Sequence, residues 1–372
     1  MSSIVDLAGR QLVHPHFEAM GQDDAQVILM PGGAPSRTTP MLWDTQDEKI
    51  NAHHAANPPS ADVDYWLASN VKVSGAGAMV SRGENYLFAP TIFPKYVRHF
   101  IEHDINSEFW RHLERSKATR LESAISILNF NLIYGHWLLE MFPKILMLKY
   151  MLPHLRNIPL LIPSTAPTYV EEIIANTLGN WPIYKYDRFN EHVEVDLLTL
   201  PGSFQSEYIF HPHLAVLLDR YVEEQTARYR WFRLQGRRTR IFVSRANVSS
   251  SFRSLQNAAE LEAIAKARGL TIIHPENLPW ARQLDAFNRA AVIVGEFGSG
   301  MHNALFSRKD TKVVCLNWIS EVQSRIANYR GHRVGYILPS DGISRLFDLE
   351  GKFHEYHIDP DEFRSTLDSV LD

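Results

Sequence analysis

At 372 residues, of which 45% are apolar and 22% charged, the chain has room for two or three domains with sizeable cores and is not a disordered segment. Thirty-eight Lys and Arg against 42 Asp and Glu leave a net charge of −4, which argues against a general nucleic-acid binder, a class that carries a basic face. Cys315 is the one cysteine, so an intrachain disulfide framework and a Cys-rich zinc module are excluded. No run approaches 18 apolar residues and the start, MSSIVDLAGRQLVHPHF, lacks a signal pattern. A soluble, cytoplasmic protein is expected, with peripheral attachment to a membrane left open.

The first hundred residues read as irregular and β-leaning. Turn clusters stand at Pro31-Gly32-Gly33-Ala34-Pro35 and Asn57-Pro58-Pro59-Ser60. Short apolar runs between Asn70 and Pro90, parted by Gly75, Gly77 and Arg82-Gly83, predict a small antiparallel sheet or hairpin. From Ile125 to Leu152 the chain is nearly all apolar, interrupted by Asn129, Asn131, His136 and Glu140. Strands are predicted at Pro159 to Pro163, Pro182 to Tyr186 and Val193 to Leu200, with a helix from Tyr169 to Leu178 ended by Gly179. The polar run Tyr221 to Arg240 reads as a helix crossing a domain junction.

Beyond it the α/β alternation is regular. Strands are predicted at Arg240 to Ser244, Leu270 to Ile273, Ala291 to Val294, Val313 to Leu316 and Val334 to Leu338. Helices lie between them at Asn257 to Arg268, Pro279 to Arg289, from Gly300, and around Glu321 to Tyr329. Five strands alternating with helices make a doubly wound, Rossmann-like domain.

Three segments carry candidate chemistry. In Ala291 to Phe306 a buried strand runs into Gly295, Gly298 and Gly300 and then a helix. Such a turn lets backbone N–H groups approach an anion, or simply permits a tight crossover; its spacing is not GxGxxG. Ser244-Arg245 ends the first strand of the same domain, with Arg253 and Asn257 beyond. These arginines suit a diphosphate, the alternative being a solvated loop. His136 and Glu140 stand one helical turn apart among apolar residues. They read either as a general-base unit or as a satisfied core pair. Asp62-Val63-Asp64 and Asp359-Pro360-Asp361 match a bare Asp-x-Asp and are weak as metal sites. The 17 histidines form no HExxH frame.

Taken together, Ser244-Arg245, Arg253, Asn257, Gln283 and the loop Gly295-Glu296-Phe297-Gly298-Ser299-Gly300-Met301-His302-Asn303 resemble the carboxyl-terminal half of glycosyltransferase family 61. Asn131, His136 and Glu140 resemble the N-x-x-x-x-His-x-x-x-(Asp/Glu) element of the same family. The family's loop histidine is Phe297 here, and His302 is the nearby alternative.

The resemblance implies an α/β, GT-B-like fold in which two Rossmann-like domains face a cleft, with the β-leaning segment 1–100 packed on the first. The domains would be an acceptor domain at 101–232, a nucleotide-sugar domain at 233–340, and a strand and helix at 341–372 that cross back. It further implies inverting, metal-independent transfer from a nucleotide sugar, UDP-linked by expectation, to a saccharide acceptor in capsular or surface polysaccharide synthesis. No cofactor is expected, and a homodimer stays open. Glu140, with His136, is the expected base and Glu296 the second choice. Ser244, Arg245, Arg253, Asn257, Gln283, Gly295, Gly298, Ser299, Gly300, His302 and Asn303 are the expected donor residues. A catalytically silent scaffold in a polysaccharide assembly complex and a sugar-nucleotide epimerase are the alternatives.

Overall fold

The computed structural model describes residues 4–5, 11–12, 17–19, 24–33, 42–43, 59–75, 79–83, 85–88, 112–128, 133–206, 208–230, 238–248, 253–318, 320–340 and 354–372. Ala34, Pro35, Asn57, Pro58, Gly77, Asn129, Asn131 and the basic stretch 231–237 lie outside them. The fold is mixed α/β and divides into two compact units. The first comprises Met1–Gly33 with Ser60–Leu214, the second Ala34–Pro59 with Ala215–Asp372.

The first unit is built on a mixed sheet. Its strands are β1 Phe17–Ala19, β2 Ala25–Met30, β3 Val63–Ser74, β4 Met79–Arg82, β5 Asn85–Phe88, β6 Lys117–Ile125, β7 Leu160–Pro163, β8 Ile183–Tyr186 and β9 Glu191–Pro201. They lie in the order β8-β7-β6-β9-β3-β4-β5-β1, with β2 paired to β3. Strands β6 to β9 are mutually parallel where they pair, as expected of strands joined by helical crossovers. Strand β3 joins them antiparallel to β9 and continues into the β3-β4-β5 meander.

The boundary expected at residue 100 therefore runs through one sheet. Val63, Trp66, Ala68, Val71 and Val73 of β3 bury in the same unit as Val193, Val195 and Leu198 of β9. A continuous helix, α1, runs through Tyr134–His136, a π-helical turn Trp137–Met141, and Phe142–Tyr150. It is apolar around most of its circumference and is buried accordingly. Helix α2, Thr168–Leu178, buries Val170, Ile173, Ile174 and Thr177 and stops at Gly179, where φ is +66°.

The second unit holds a five-stranded parallel sheet, β10 Thr239–Val243, β12 Thr271–Ile273, β13 Ala290–Glu296, β14 Lys312–Leu316 and β15 Arg333–Ile337, in spatial order β12-β10-β13-β14-β15. In sequence rank within this sheet that is 2-1-3-4-5, a doubly wound order with its switch point between β10 and β13. Helix α3, His213–Arg230, starts eight residues before the predicted Tyr221. Its apolar stripe of Leu214, Leu217, Leu218, Tyr221 and Val222 begins directly after Pro212. Helices α4 Ala258–Ala267, α5 Trp280–Arg289 and α6 Glu321–Arg330 follow, with a 3-10 coil at Ser299–Phe306 between β13 and β14.

The carboxyl-terminal segment stays in this unit. Strand β16, His354–Tyr356, pairs parallel to β11, Arg253–Leu255, and α7, Pro360–Leu371, packs Phe363 edge-on against Phe242. Arg268 and Asp368 tie α7 to the end of α4. No described helix is long and apolar enough to cross a membrane.

Candidate active site

Two groups of residues are equipped for chemistry, one in each unit. In the first unit, the π-helical turn of α1 carries His136 at its edge and Glu140 within it; such turns widen a helix locally and recur at functional positions. His136 Nδ1 lies 2.6 Å from Glu140 Oε1. Glu140 is 1% exposed and the His136 side chain 24%, so the carboxylate sits behind the imidazole and the imidazole meets solvent.

Lys144, one turn further along α1, is buried among Phe142, Ile145, Leu146 and Met147. Burial pulls its ammonium down to about 8, while the charges of Glu140 and Asp64 work to keep the proton on. Asp64 is wholly buried near the start of β3, and burial raises its carboxyl above the ordinary value. Its Oδ2 accepts from Gln26 Nε2 at 2.7 Å and Trp66 Nε1 at 3.0 Å, which oppose that rise. Of the Asp-x-Asp pair, Asp62 is turned instead to the Gly32 amide, at 2.5 Å.

Sequence reasoning misses both Lys144 and Asp64 as members of this group. For Lys144 a signal exists: a lone cation at i+4 from Glu140 inside an apolar run. For Asp64 there is none, because it comes from a strand more than 70 residues away.

In the second unit the pairing of Val243 with Gly295 puts Ser244-Arg245 and the Glu296–Gly300 turn side by side at the carboxyl edge of the switch point. Glycine is required at 295: a Cβ there would stand 2.7 Å from the Val243 carbonyl oxygen. At Gly300 the nearest atom, Val243 Cγ1, would be 3.6 Å from a Cβ, so packing alone does not demand glycine. Met301 N donates to Gly298 O at 2.9 Å, which winds the chain directly into the 3-10 coil. The half-buried Arg245 makes no side-chain hydrogen bond or ion pair with any described residue, leaving its guanidinium available at this edge.

Several other expected donor residues are engaged in holding the fold. Ser244 is buried, donates to Glu262 Oε1 at 2.5 Å and accepts from Ala246 N. Asn257 clasps the carboxyl-terminal segment, donating to Ile358 O at 2.8 Å and accepting from Ile358 N. Gln283 donates to Leu278 O at the start of its own helix. Asn303 is buried and donates to Gly300 O. Each satisfies a nearby group that a tight turn or chain crossing leaves open.

His302 is buried beside the Phe297 ring, with centroids 5.9 Å apart. Glu296, the second choice for base, is buried at the end of β13 and accepts a hydrogen bond from the Tyr356 hydroxyl. Asp359 of the second Asp-x-Asp caps α7, accepting from Asp361 N and Glu362 N.

Among solved structures, the metal-soaked Flv1 flavodiiron core from Synechocystis sp. PCC6803 is 12% identical, over 93% of this chain and 97% of that one, with a TM-score of 0.21. A likeness at that level carries no argument. No curated protein matches the chain. Residues 134–314, which hold both α1 with its His136–Glu140 pair and the β10–β14 sheet edge, match the glycosyltransferase 61 family, so this stretch of the chain is a glycosyltransferase 61 domain.

Proposed function

We propose that the enzyme moves a sugar from a nucleotide donor, UDP by preference, to a saccharide acceptor with inversion and without a metal, in capsular or surface polysaccharide synthesis. The two units are read as the halves of a GT-B transferase, the first activating the acceptor and the second holding the donor. The observation that carries this is the ordering of His136 and Glu140: an imidazole open to solvent, backed by a buried carboxylate at 2.6 Å.

That ordering supports reading His136, in place of the Glu140 expected from the sequence, as the group that accepts the proton of the acceptor hydroxyl. Glu140 takes the Nδ1 hydrogen bond, selects the tautomer with its lone pair on Nε2, and stabilises the imidazolium. The acceptor oxygen then bonds to the anomeric carbon as the carbon–oxygen bond to the diphosphate breaks from the opposite face. The negative charge that collects on the leaving diphosphate is met by Arg245 and by the backbone amides of the Glu296–Gly300 turn.

The test is turnover of nucleotide sugars with saccharide acceptors in the presence of EDTA, with the anomeric configuration of the product read by NMR. Inverted product formed in EDTA is expected. Retained configuration would remove the single-displacement step, and activity abolished by EDTA and restored by a divalent cation would remove the metal-free step.

A further inference from the structure

We propose that the second unit carries a further ligand site, at the edge of its sheet opposite the glycine turn, that takes an anionic sugar: one ring of hydroxyls bearing a carboxylate or phosphate group. A cavity of about 250 Å³ opens there between α3, the end of α5 and the turn that leads into β14. Asn288 stands two residues before β13, Arg308 and Lys309 just before β14, and Arg330 three residues before β15. The cavity therefore lies at the amino ends of these parallel strands. Ser244-Arg245 and the Glu296–Gly300 turn leave the carboxyl ends. The seven residues of β13 keep the two edges roughly 20 Å apart. The site is thus separate from the edge read as donor-binding and stands whether or not that reading does.

Its cations are unevenly matched. Arg330 is the fixed one. Its side chain is 5% exposed, its Nε and Nη2 donate to Ser307 O at 3.2 and 3.0 Å, and Nη2 also meets Asp219 Oδ1 at 2.5 Å. That contact answers the Asp219 charge. Arg308 and Lys309 are exposed, and among the described residues neither forms an ion pair; the Arg308 side chain donates to Asn288 Oδ1 at 3.3 Å. Three cations face two carboxylates, Asp219 and Glu223, so the lining carries one net positive charge. A ligand that brings an anionic group to Arg308 and Lys309 completes the balance through charge-assisted hydrogen bonds to its carboxylate or phosphate oxygens.

The acids in the same lining select against a bare anion. Asp219 and Glu223 stand one turn apart on α3 and share a face. Ionised carboxylates only accept hydrogen bonds, so they repel free phosphate and receive hydroxyl hydrogens. The Thr226 hydroxyl donates to Val222 O at 2.8 Å, which leaves its oxygen to accept as well. The Val222 side chain supplies an apolar patch for the carbon face of a ring. Acceptors from the helix and cationic donors from the turn form the pattern that a hydroxylated anion satisfies at both ends. The volume sets the size: it falls below the roughly 300–1,000 Å³ of pockets for drug-sized ligands, which suits one sugar unit and not a whole nucleotide sugar.

The experiment is calorimetric titration of the full chain with glucose 1-phosphate and with glucuronate, beside inorganic phosphate and glucose, each of which lacks one half of the ligand. Saturable binding of both anionic sugars is expected, at least tenfold tighter than phosphate or glucose. Arg308→Ala with Lys309→Ala, both on the surface, should weaken it at least tenfold, the scale of a lost charge-assisted hydrogen bond, with an unchanged Tm. Arg245→Ala should leave it unaltered. If the double variant does not fold, Lys309→Ala alone carries the same expectation. Silence from both anionic sugars overturns the proposal, and phosphate bound as tightly as glucose 1-phosphate overturns the sugar assignment. Binding kept in the double variant, or lost in Arg245→Ala, places the ligand elsewhere and overturns the site. Titration with tetragalacturonate separates the two sources. Affinity above that of glucuronate assigns a unit within an acidic saccharide chain, equal or lower affinity a free sugar acid or sugar phosphate, and either result upholds the site.

Discussion

Gly202 and Asp64 meet more closely than any other residue could allow: a Cβ on Gly202 would fall 1.9 Å from Asp64 Oδ1 and 2.7 Å from its carbonyl oxygen. The amide of Gly202 uses this approach to donate to that carbonyl at 2.8 Å, so the turn leaving β9 is locked to the strand that carries the buried acid. The fold of the first unit and the placement of this buried acid therefore depend on one another.

Gly202→Ala should push the Asp64 carboxylate off Gln26 and Trp66 and cost about 2–4 kcal/mol in urea unfolding, in the range of overpacking plus a lost buried hydrogen bond. Gly179→Ala is the control. There a Cβ meets nothing within 4 Å and only the left-handed φ of +66° is strained, so about 1 kcal/mol is expected. Equal losses at the two sites would contradict the clash.

Replacing Glu140 by Gln keeps the shape of the pair and removes its charge. Donor affinity should be unchanged while kcat falls by about 10³–10⁴, the scale seen when the carboxylate behind a catalytic histidine becomes an amide. Steady-state kinetics together with donor binding by calorimetry check this. A turnover within a factor of three of wild type would take Glu140 out of the reaction.

Arg245 and Asn257 should separate binding from folding. Arg245→Ala deletes a guanidinium that bonds no described residue, so UDP affinity is expected to fall about 10- to 100-fold, as for a lost charge-assisted hydrogen bond, with little change in Tm. Asn257→Ala opens both hydrogen bonds to Ile358 and frees the segment bearing Tyr356 and α7. It should lower stability by about 1–3 kcal/mol and leave the remaining folded protein able to bind UDP. Calorimetric titration and thermal melts distinguish the two, and the reverse pattern would exchange their roles.

His332 predicts acid lability. It is fully buried, with its ring Nε2 3.4 Å from Ser307 O, and burial beside Arg330 pushes its imidazole down to about 3. The unfolded chain binds this proton below about 6.5 and the folded chain does not, so the stability contributed by neutral His332 is lost as pH falls from 6.5 toward 3. The slope is about 1.4 kcal/mol per pH unit. His332→Asn should flatten the decline in unfolding free energy between about pH 6.5 and 5 by about 2 kcal/mol. An unchanged slope in the variant would assign the lability to other groups.

Much of the second unit was legible in the amino-acid order. Its parallel strands are buried on both faces and read as unbroken apolar runs such as Ile241–Val243, Val292–Val294 and Val313–Leu316, and the glycine turn after β13 follows from the same run. The His136–Glu140 pair was legible for a similar reason, since i,i+4 spacing is a local property. What the order of residues left open was settled by contacts far apart in the chain. Antiparallel pairing of β3 with β9 makes one sheet of the amino-terminal strands and the α/β strands, and it puts Gly202 on Asp64. The fates of Ser244, Asn257 and Asn303 were decided the same way. A short polar side chain bonds whichever backbone group or carboxylate the fold brings within about 3 Å, and that partner is known only once distant segments have packed.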